Sequence, residues 1–244
     1  MKNSIFIWGS KSYARIVNDF IENYKKELKI NNFTTSKKNR LKIKYFFDPY
    51  SKKIDFSHNA IFSNNFSQLA ENIKNCKFFL VCVGNHYGIL RTFISQQLEN
   101  QGLTPLTLVS NKSNINNSTY IGKGVVVMPN SYINAFSNIG DYTIINSGSN
   151  IEHETNVGVG VHIMSGACLS GRNKIGNFVT IGTNATILPD VIINDGAYIG
   201  AGSVITKNVK KNEIIIGNPG RFLKKNNYKI EPSFTKKLKN ILRT

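Results

Sequence analysis

The chain has 244 residues, of which 41% are hydrophobic and 18% are charged, enough for one large domain or two smaller ones with separate cores. Three cysteines provide no disulfide framework, and the longest apolar run, residues 78–83, falls far short of the ~20 residues of a membrane-spanning helix. The short apolar stretch after Met1 lacks the length and the cleavage site of a signal peptide. These features predict a cytoplasmic protein without membrane insertion.

The formal net charge of +17 raises nucleic acid and membrane surfaces as partners. The surplus is unevenly distributed: residues 1–110 carry 16 basic and 7 acidic side chains, residues 111–210 carry 6 and 5, and residues 211–244 carry 9 and 2. The middle of the chain is nearly neutral, and no RNA- or DNA-binding motif accompanies the basic ends. We therefore expect a solvated basic surface and no nucleic-acid partner.

The first 110 residues alternate between predicted strands and helices. The predicted strands are Ser4–Trp8, Ile43–Phe47, Phe78–Val83 and Leu106–Val109. Helical patterns run over 12–27 and from Asn85 to about Asn100. This alternation predicts a small Rossmann-like domain, a parallel sheet with helices packed on it.

Polar residues follow three of these strands. Lys11, Ser12 and Tyr13 come after the first strand, Asp48 after the second and Gly84 after the third. Ligands of parallel sheets bind at the carboxyl ends of the strands, so we expect Lys11 to meet a phosphate and Asp48 to accept hydrogen bonds in a nucleotide-sugar site. Only the first of the three glycines of the dinucleotide fingerprint is present, which disfavours NAD. A purely structural turn remains the alternative.

A six-residue repeat governs the next part of the chain. From Ile115 to Ile205 every sixth residue is Ile, Val or Leu, sixteen positions without an insertion. The residue four places later is Ser, Thr, Ala or Val in fifteen cases, Asn173 being the exception. This period fits a parallel β-helix in which each hexapeptide forms one flat face and the aliphatic residue points inward. Three faces give a coil of eighteen residues, so the repeat spans about five coils.

Two histidines fall within the repeat. His153 lies two residues after the inward Ile151, at a corner, between Glu152 and Glu154. A carboxylate beside an imidazole holds one tautomer and strengthens it as a base, although an ordinary exposed histidine is the alternative. His162 comes nine residues later, half a coil away, on the opposite side of the prism. The two histidines can therefore serve one site only when they come from different subunits.

The segment from Ile144 to Glu154, with the sequence IINSGSNIEHE, resembles the active-site segment of bacterial sugar acetyltransferases with a left-handed hexapeptide-repeat β-helix. These include sialic acid O-acetyltransferases and N-acetyltransferases of nucleotide-activated 4-amino sugars in surface-glycan biosynthesis. Residues 161–163, 199–204 and 216–219 support the resemblance, which covers nearly the whole chain.

The resemblance implies acetyl-CoA-dependent transfer without a metal, in a homotrimer with active sites between subunits. His153 is then the general base, and Glu154 raises its basicity. The implied contacts of acetyl-CoA are Asn146, His162, Gly171, Thr183 and Ala201. The implied contacts of the nucleotide-linked amino sugar are Lys11, Ser12, Tyr13, Asp48 and Gly84. Relatives commonly have a glycine-rich loop with a histidine where this chain has KSYA at 11–14, which leaves the acceptor open.

We thus expect three parts: an α/β nucleotide-sugar-binding domain over 1–110, a left-handed β-helix acyltransferase domain over 111–212, and a cap over 213–244. A helix from about Glu231 to Arg243 is expected to close the open end of the prism, whose backbone groups are otherwise unpaired. Three functions remain: nucleotide-sugar N-acetyltransferase, O-acetyltransferase of sialic acid or a related sugar, and a non-catalytic basic binding protein.

Overall fold

The structure is a computed structural model that describes residues 3–23, 28–30, 33–34, 41–84 and 86–242. The chain forms two compact units, one within 1–83, 90–106 and 229–244, and the other of 84–89 and 107–228. Glu27 and Arg243, the predicted ends of two helices, lie outside the described residues. No helix in the described ranges combines the length and apolarity needed to cross a membrane.

The N-terminal region forms the predicted parallel sheet. Its elements are β1 (Ser4–Trp8), α1 (Ser12–Asn23), β2 (Leu28–Ile30), β3 (Phe33–Thr34), β4 (Lys42–Phe47), β5 (Ile61–Ser63), a 3-10 helix (Phe66–Gln68), α2 (Leu69–Lys74), β6 (Phe78–Val81), α3 (Gly88–Glu99) and β7 (Thr104–Pro105). Strands β5-β4-β1-β6-β7 form one sheet in this order, with parallel pairs throughout, while β2 and β3 pair antiparallel and do not belong to this sheet. The three-residue β5 and the six-residue α2 are too short for a periodic pattern, and the sequence did not predict them.

The core of the first unit lies around β1, the central strand. Its residues from Ile5 to Trp8 are buried on both faces, which is the burial expected of a central parallel strand. Trp8 makes edge contacts with Phe47 at 4.8 Å and with Phe234 at 6.3 Å between ring centroids. Phe234 belongs to α4 (Pro232–Leu242), which also buries Leu238 and Leu242 in this core. The helix expected to close the prism therefore packs in the first unit, because its apolar stripe matches this aromatic core.

The second unit is the predicted left-handed β-helix, built from two- and three-residue strands with three faces to a coil. The first face contains β8 (Leu108–Ser110), β11 (Val126–Val127), β14 (Ile144–Ile145), β17 (His162–Ile163), β20 (Thr180–Ile181) and β23 (Tyr198–Ile199). The second face contains β9 (Asn114–Ile115), β12 (Tyr132–Ile133), β15 (Asn150–Ile151), β18 (Cys168–Leu169), β21 (Thr186–Ile187) and β24 (Val204–Ile205). The third face contains β10 (Tyr120–Ile121), β13 (Asn138–Ile139), β16 (Asn156–Val157), β19 (Lys174–Ile175) and β22 (Ile192–Ile193).

The coil of eighteen residues is visible in the strand register. Ile144 pairs with His162 and His162 with Thr180 in parallel, and the inward Ile145, Ile163 and Ile181 stack in the same way. The inward column of each face joins one continuous core. The repeat therefore determines both the hydrogen-bond register and the core.

The corners between faces share one backbone conformation. The third residue after each inward residue from Ile121 to Ile199 adopts a left-handed φ near +60°, which costs any residue other than glycine strain energy. The residues other than glycine in this register are Asn130, Phe136, Tyr142, Glu154, Arg172, Phe178, Asn184 and Asp190. The next residue points inward and is small, and several of its hydroxyls donate to backbone carbonyls of the following coil, as Ser137 does to Glu152 at 3.0 Å.

The last coil ends in an antiparallel hairpin. Strands β25 (Glu213–Ile216) and β26 (Arg221–Lys225) pair with each other, and β25 extends the first face by pairing with β23. Part of the predicted C-terminal cap thus belongs to the β-helix, because β25 satisfies the backbone groups of the last coil.

Candidate active site

His153 stands at the corner between the second and third faces, as its spacing predicts. We call the residues 134–137, 152–155, 170–173 and 188–191, which stack there in successive coils, the His153 corner. The ladder continues through backbone hydrogen bonds, since the Glu154 amide donates to Ala135 at 2.9 Å and the Arg172 amide donates to His153 at 2.9 Å. The corner is therefore a rigid column on which each side chain has a defined neighbour one coil away.

The imidazole of His153 is held by the next residue in the chain. Its Nδ1 donates to Glu154 Oε2 at 2.9 Å, and both side chains are about half exposed. When Nδ1 carries the proton and donates it to the carboxylate in this hydrogen bond, the lone pair of the neutral ring is on Nε2. This pair, which we call the dyad, has the arrangement of a general base and its orienting carboxylate.

Gly171 lies against the reactive edge of that ring. A Cβ at Gly171 would stand 2.6 Å from His153 Nε2 and 2.8 Å from Cε1, well inside contact distance. Gly171 follows His153 by one coil, as the sequence spacing predicts. The glycine therefore leaves Nε2 the space that a substrate proton would need.

A second carboxylate at the corner is occupied by amides. Glu152 Oε2 accepts from Asn134 Nδ2 at 2.7 Å, and its Oε1 accepts from Asn150 Nδ2 at 3.2 Å. The charge of Glu152 also adds to the effect of burial in raising the pKa of the Cys168 thiol. Of the two acids that flank His153, Glu154 is thus the one bonded to the ring.

Arg172 and Asp190 form an ion pair further along the same corner, and sequence reasoning did not single them out. Arg172 Nε and Nη2 donate to the two carboxylate oxygens of Asp190, each at 2.7 Å. Both residues continue the series of Glu154 at intervals of eighteen. That spacing was the signal that would have identified them.

His162 lies on the first face, on the side of the prism opposite the His153 corner by strand order. It is buried, and its Nε2 accepts from Asn146 Nδ2 at 2.9 Å. A Cβ at Gly84 would lie 3.8 Å from His162 Cε1, and Gly84 belongs to the same unit. The structure therefore brings together Asn146, His162 and Gly84, two expected cofactor contacts and one expected substrate contact.

Thr183 and Ala201 stack at the corner between the first and second faces, which we call the Thr183 corner. The Gly202 amide donates to Thr183 at 2.8 Å, and the residues at the same position in earlier coils are Ser147 and Ser165. The side chains at this position are therefore small in four successive coils. This corner lies on a different edge of the prism from His153.

The expected nucleotide-sugar residues in the first unit surround the point where the strand order reverses between β1 and β6. Gly9 has a left-handed φ of +119° there, and a Cβ would lie 2.8 Å from the Cys82 carbonyl oxygen. Asp48 is buried and holds the loop, because its Oδ2 accepts from the amide and the hydroxyl of Ser10 at 3.1 and 2.6 Å. Lys11 and Ser12 remain exposed beside it. Crevices at such reversals are the usual ligand sites of parallel sheets.

Two buried polar side chains approach the same sheet edge. The hydroxyl of Tyr13 is buried without a hydrogen-bond partner, and burial raises its pKa, so it stays protonated. Arg91 in α3 is only 2% exposed and donates to the Val83 carbonyl at 2.7 Å. Burial lowers the pKa of Arg91 to about 10, which leaves the guanidinium charged at neutral pH. Its position in an apolar stretch of a helix was the one sequence signal for Arg91.

The cysteines do not provide an activated nucleophile. Burial raises the pKa of all three thiols, to about 11 for Cys76. A thiol with a raised pKa contains little thiolate, the nucleophilic form. In the part of the chain that the structure describes, no three His, Cys, Asp or Glu side chains cluster as metal ligands would.

The sequence profile of the bacterial transferase hexapeptide repeat matches residues 118–153 and 174–207, with six repeats. A search of curated protein sequences finds no significant match.

Solved structures match nearly the full length. A mutant of perosamine N-acetyltransferase from Caulobacter crescentus, in complex with CoA and GDP-perosamine, is 21% identical with a TM-score of 0.76, over 92% of this chain and 98% of that chain. The acetyltransferase domain of PglB from Neisseria gonorrhoeae FA1090 is 22% identical with a TM-score of 0.76, over 91% and 100%. WeeI from Acinetobacter baumannii AYE is 23% identical with a TM-score of 0.74, over 90% and 99%. The chain therefore has the fold of these three proteins, an α/β unit with a hexapeptide-repeat β-helix, over at least 90% of its length.

Proposed function

We propose that the chain is an acetyl-CoA-dependent N-acetyltransferase that acts on the amino group of a nucleotide-linked amino sugar in surface-glycan biosynthesis. The observation that carries this proposal is the dyad, in which Glu154 holds Nδ1 of His153 and Gly171 places no side chain against Nε2. The similar perosamine N-acetyltransferase has been solved with CoA and GDP-perosamine, and the PglB domain with acetyl coenzyme A.

The proposed reaction is direct transfer in a ternary complex. The neutral sugar amine attacks the thioester carbonyl carbon, and His153 Nε2 takes the proton that the nitrogen loses. The carbon–nitrogen bond forms, the carbon–sulfur bond breaks, and the proton passes from the imidazole to the thiolate sulfur, which leaves as CoA thiol. Backbone amides of the prism stabilise the oxyanion of the tetrahedral intermediate.

The position of acetyl-CoA follows from the two corners. In the proposed complex, acetyl-CoA has its thioester beside His153 and its pantetheine chain along Thr183 and Ala201. These two parts of the molecule contact different edges of the prism. One elongated molecule meets both edges when it lies between two prisms, so the protein is proposed to be an oligomer, and specifically the homotrimer that the resemblance to sugar acetyltransferases implies. His162 then belongs to the neighbouring prism, where Asn146 orients its ring. A solution mass of one 27.3 kDa chain at assay concentrations, measured by light scattering, would contradict this arrangement.

The nucleotide of the acceptor is proposed to bind at the sheet edge of the first unit. Tyr13 places a buried, unpartnered hydroxyl there, Arg91 adds a buried positive charge, and Lys11 is an exposed cation beside them. A diphosphate would supply an acceptor oxygen for the Tyr13 hydroxyl and negative charge beside the two cations. The three free thiols are compatible with the cytoplasmic location included in the proposal.

The direct test is an assay of thiol release from acetyl-CoA with a panel of UDP-, dTDP- and GDP-linked amino sugars. We expect turnover with at least one amino sugar and none with its 4-hydroxyl counterpart. Turnover only with sialic acid or another hydroxyl acceptor would instead establish O-acetylation, which uses the same base. Inactivity across the panel, together with salt-sensitive nucleic-acid binding, would support a non-catalytic basic protein.

The role of His153 is tested by His153→Ala. We expect kcat to fall about 10²–10⁴-fold, the usual contribution of a general base, while acetyl-CoA binding measured by calorimetry is retained. Lys207→Ala, which changes an exposed side chain near the end of the last coil, is the control and should retain wild-type kcat. Unchanged turnover in His153→Ala would remove the assignment of the base.

A further inference from the structure

Three charged residues share one register at the His153 corner. Glu154, Arg172 and Asp190 follow each other at intervals of eighteen residues, and each adopts a left-handed φ close to +60°. Consecutive coils are ~4.8 Å apart, so the side chain of Arg172 begins between two carboxylates. The Asp190 amide donates to the Gly171 carbonyl at 3.2 Å, which continues the ladder that supports His153 and Gly171.

The guanidinium pairs with only one of these carboxylates. Its Nε and Nη2 both bond to Asp190 at 2.7 Å, a two-pronged geometry that directs the planar group away from the dyad. Glu154 keeps Oε2 on His153 Nδ1 at 2.9 Å. Hydrogen bonding and the charge of Asp190 are the main causes that raise the pKa of Arg172, and the charge of Glu154 contributes less. Glu154 is thus within electrostatic reach of Arg172 without bonding to it.

We propose that Asp190 is a positioning residue that holds the Arg172 guanidinium away from Glu154, so that Glu154 remains on the imidazole of His153. The inference rests on the proposed function, because it assumes that His153 is the base. Without Asp190, Glu154 is the neighbouring carboxylate in the column, and arginine binds carboxylates through both oxygens. An ion pair between Arg172 and Glu154 would withdraw Glu154 from Nδ1. The imidazole would then lose the hydrogen bond that keeps its proton on Nδ1, the tautomer in which Nε2 can act as the base.

The other charged side chains near the dyad, Glu152 and Lys174, are either hydrogen-bonded to other groups or exposed on a neighbouring face. Glu152 is bonded to Asn134 and Asn150, and the thiol of Cys168 lies close enough for Glu152 to raise its pKa. Lys174 occupies the outward position of β19 on the third face and is exposed. Arg172 is therefore the cation of the His153 corner, and its side chain is held by a single residue, Asp190, which can be substituted.

The test compares Asp190→Asn, Arg172→Gln and the double variant with the wild type in pH profiles of kcat. For Asp190→Asn we expect kcat to fall about 3- to 10-fold and the midpoint of the acid limb to move to lower pH. The direction follows because an added positive charge disfavours the protonated imidazole. For Arg172→Gln we expect the midpoint to move up by a few tenths of a pH unit, because a positive charge near the imidazole is removed in a nearly aqueous setting, with little change of kcat on the plateau.

The double variant distinguishes a positioning role from general support of the corner. If Asp190 acts by restraining Arg172, removal of Arg172 makes Asp190 dispensable, and the double variant recovers kcat to within about twofold of the wild type. If the ion pair only stabilises the corner, both single variants lower kcat and the double variant is no better than Asp190→Asn. The second result would overturn the inference.

Two controls separate this result from misfolding and from failure of the proposed function. Both side chains of the pair are more than half exposed, so the circular dichroism spectra of the variants should match the wild type. If His153→Ala keeps wild-type turnover, the proposed base is wrong. If His153→Ala is inactive but Asp190→Asn has the wild-type profile, only the role of Asp190 and Arg172 is wrong.

Discussion

At the scale of single residues, the candidate site depends on the absence of a side chain at Gly171, beside His153, as much as on the dyad itself. Gly171 is buried at the position where any Cβ would touch Nε2 of the imidazole, the nitrogen proposed to accept the substrate proton. The sequence predicted that Gly171 stacks on His153, because both fall at the same position of an eighteen-residue coil. The orientation of Nε2 toward the glycine required the coordinates.

Gly171→Ala tests this requirement. The added methyl group would stand 2.6 Å from His153 Nε2, so the ring must turn away and lose part of its bond to Glu154. We expect kcat to fall about 10- to 100-fold, part of the usual contribution of a positioned base. The matched control is Gly102→Ala in the loop after α3, where nothing lies within 4 Å of the new Cβ but φ is +83°. That variant should lose stability without a comparable loss of kcat; equal kcat in Gly171→Ala and the wild type would contradict the packing argument.

Tyr13 combines a cost in stability with a proposed role in binding. A buried hydroxyl without a partner costs about 1–3 kcal/mol, so Tyr13→Phe should raise the free energy of unfolding by about 1 kcal/mol in the absence of ligand. If the hydroxyl bonds to the nucleotide sugar, the same variant should bind it about 10-fold more weakly. Chemical denaturation and calorimetry measure the two effects, with Tyr120→Phe, exposed on the β-helix, as the control. Lower stability with unchanged affinity would indicate a structural hydroxyl.

At the scale of elements, the hexapeptide coil explains why reactive side chains collect at corners. Inward positions are aliphatic or small, so charged side chains occupy the outward and corner positions, and one residue of each corner between Ile121 and Ile205 adopts a left-handed φ. The periodicity of Ile, Val and Leu predicted the faces, the coil length and the corner position of His153. The pairing of Arg172 with Asp190 rather than with Glu154 could not be predicted, because both carboxylates are one coil away and side-chain geometry decides between them.

Glu154 illustrates the strain at these corners. Its φ of 59° is a conformation that glycine adopts freely and alanine does not. Both Glu154→Gly and Glu154→Ala remove the carboxylate, and we expect both to lower kcat about 10-fold. Glu154→Gly should nevertheless be more stable than Glu154→Ala by about 1 kcal/mol in thermal or chemical unfolding, since only the alanine variant retains the strain. Equal stability of the two variants would mean that the corner relaxes.

At the scale of the whole molecule, the basic charge and the C-terminal segment have different explanations. The net charge of +17 comes mainly from residues outside the β-helix, as the sequence count indicates. The segment expected to act as one cap is divided, with β25 and β26 on the last coil and α4 in the core of the first unit.

Leu238→Ala tests the assignment of α4 to the first unit. Leu238 is fully buried in that core, and its truncation should cost about 2–5 kcal/mol of local stability. We expect the variant to lose protection from hydrogen exchange in β1 and β6 while the amides of β14, β17 and β20 remain protected. The exposed neighbour Lys239→Ala is the control. Loss of protection confined to the β-helix would place α4 on the prism after all.

The sequence by itself determined the β-helix, its coil of eighteen residues and the corner position of the dyad. These follow from the repeat, because residues that stack in space are separated by a constant number of residues along the chain. It also predicted the parallel sheet from the alternation of strands and helices. Only the tertiary structure decided where α4 packs, which carboxylate holds Arg172, and that His162 is buried beside Asn146. These three findings depend on contacts between residues that have no constant separation along the chain, or on a choice between two equivalent partners. Packing and side-chain geometry decide such contacts.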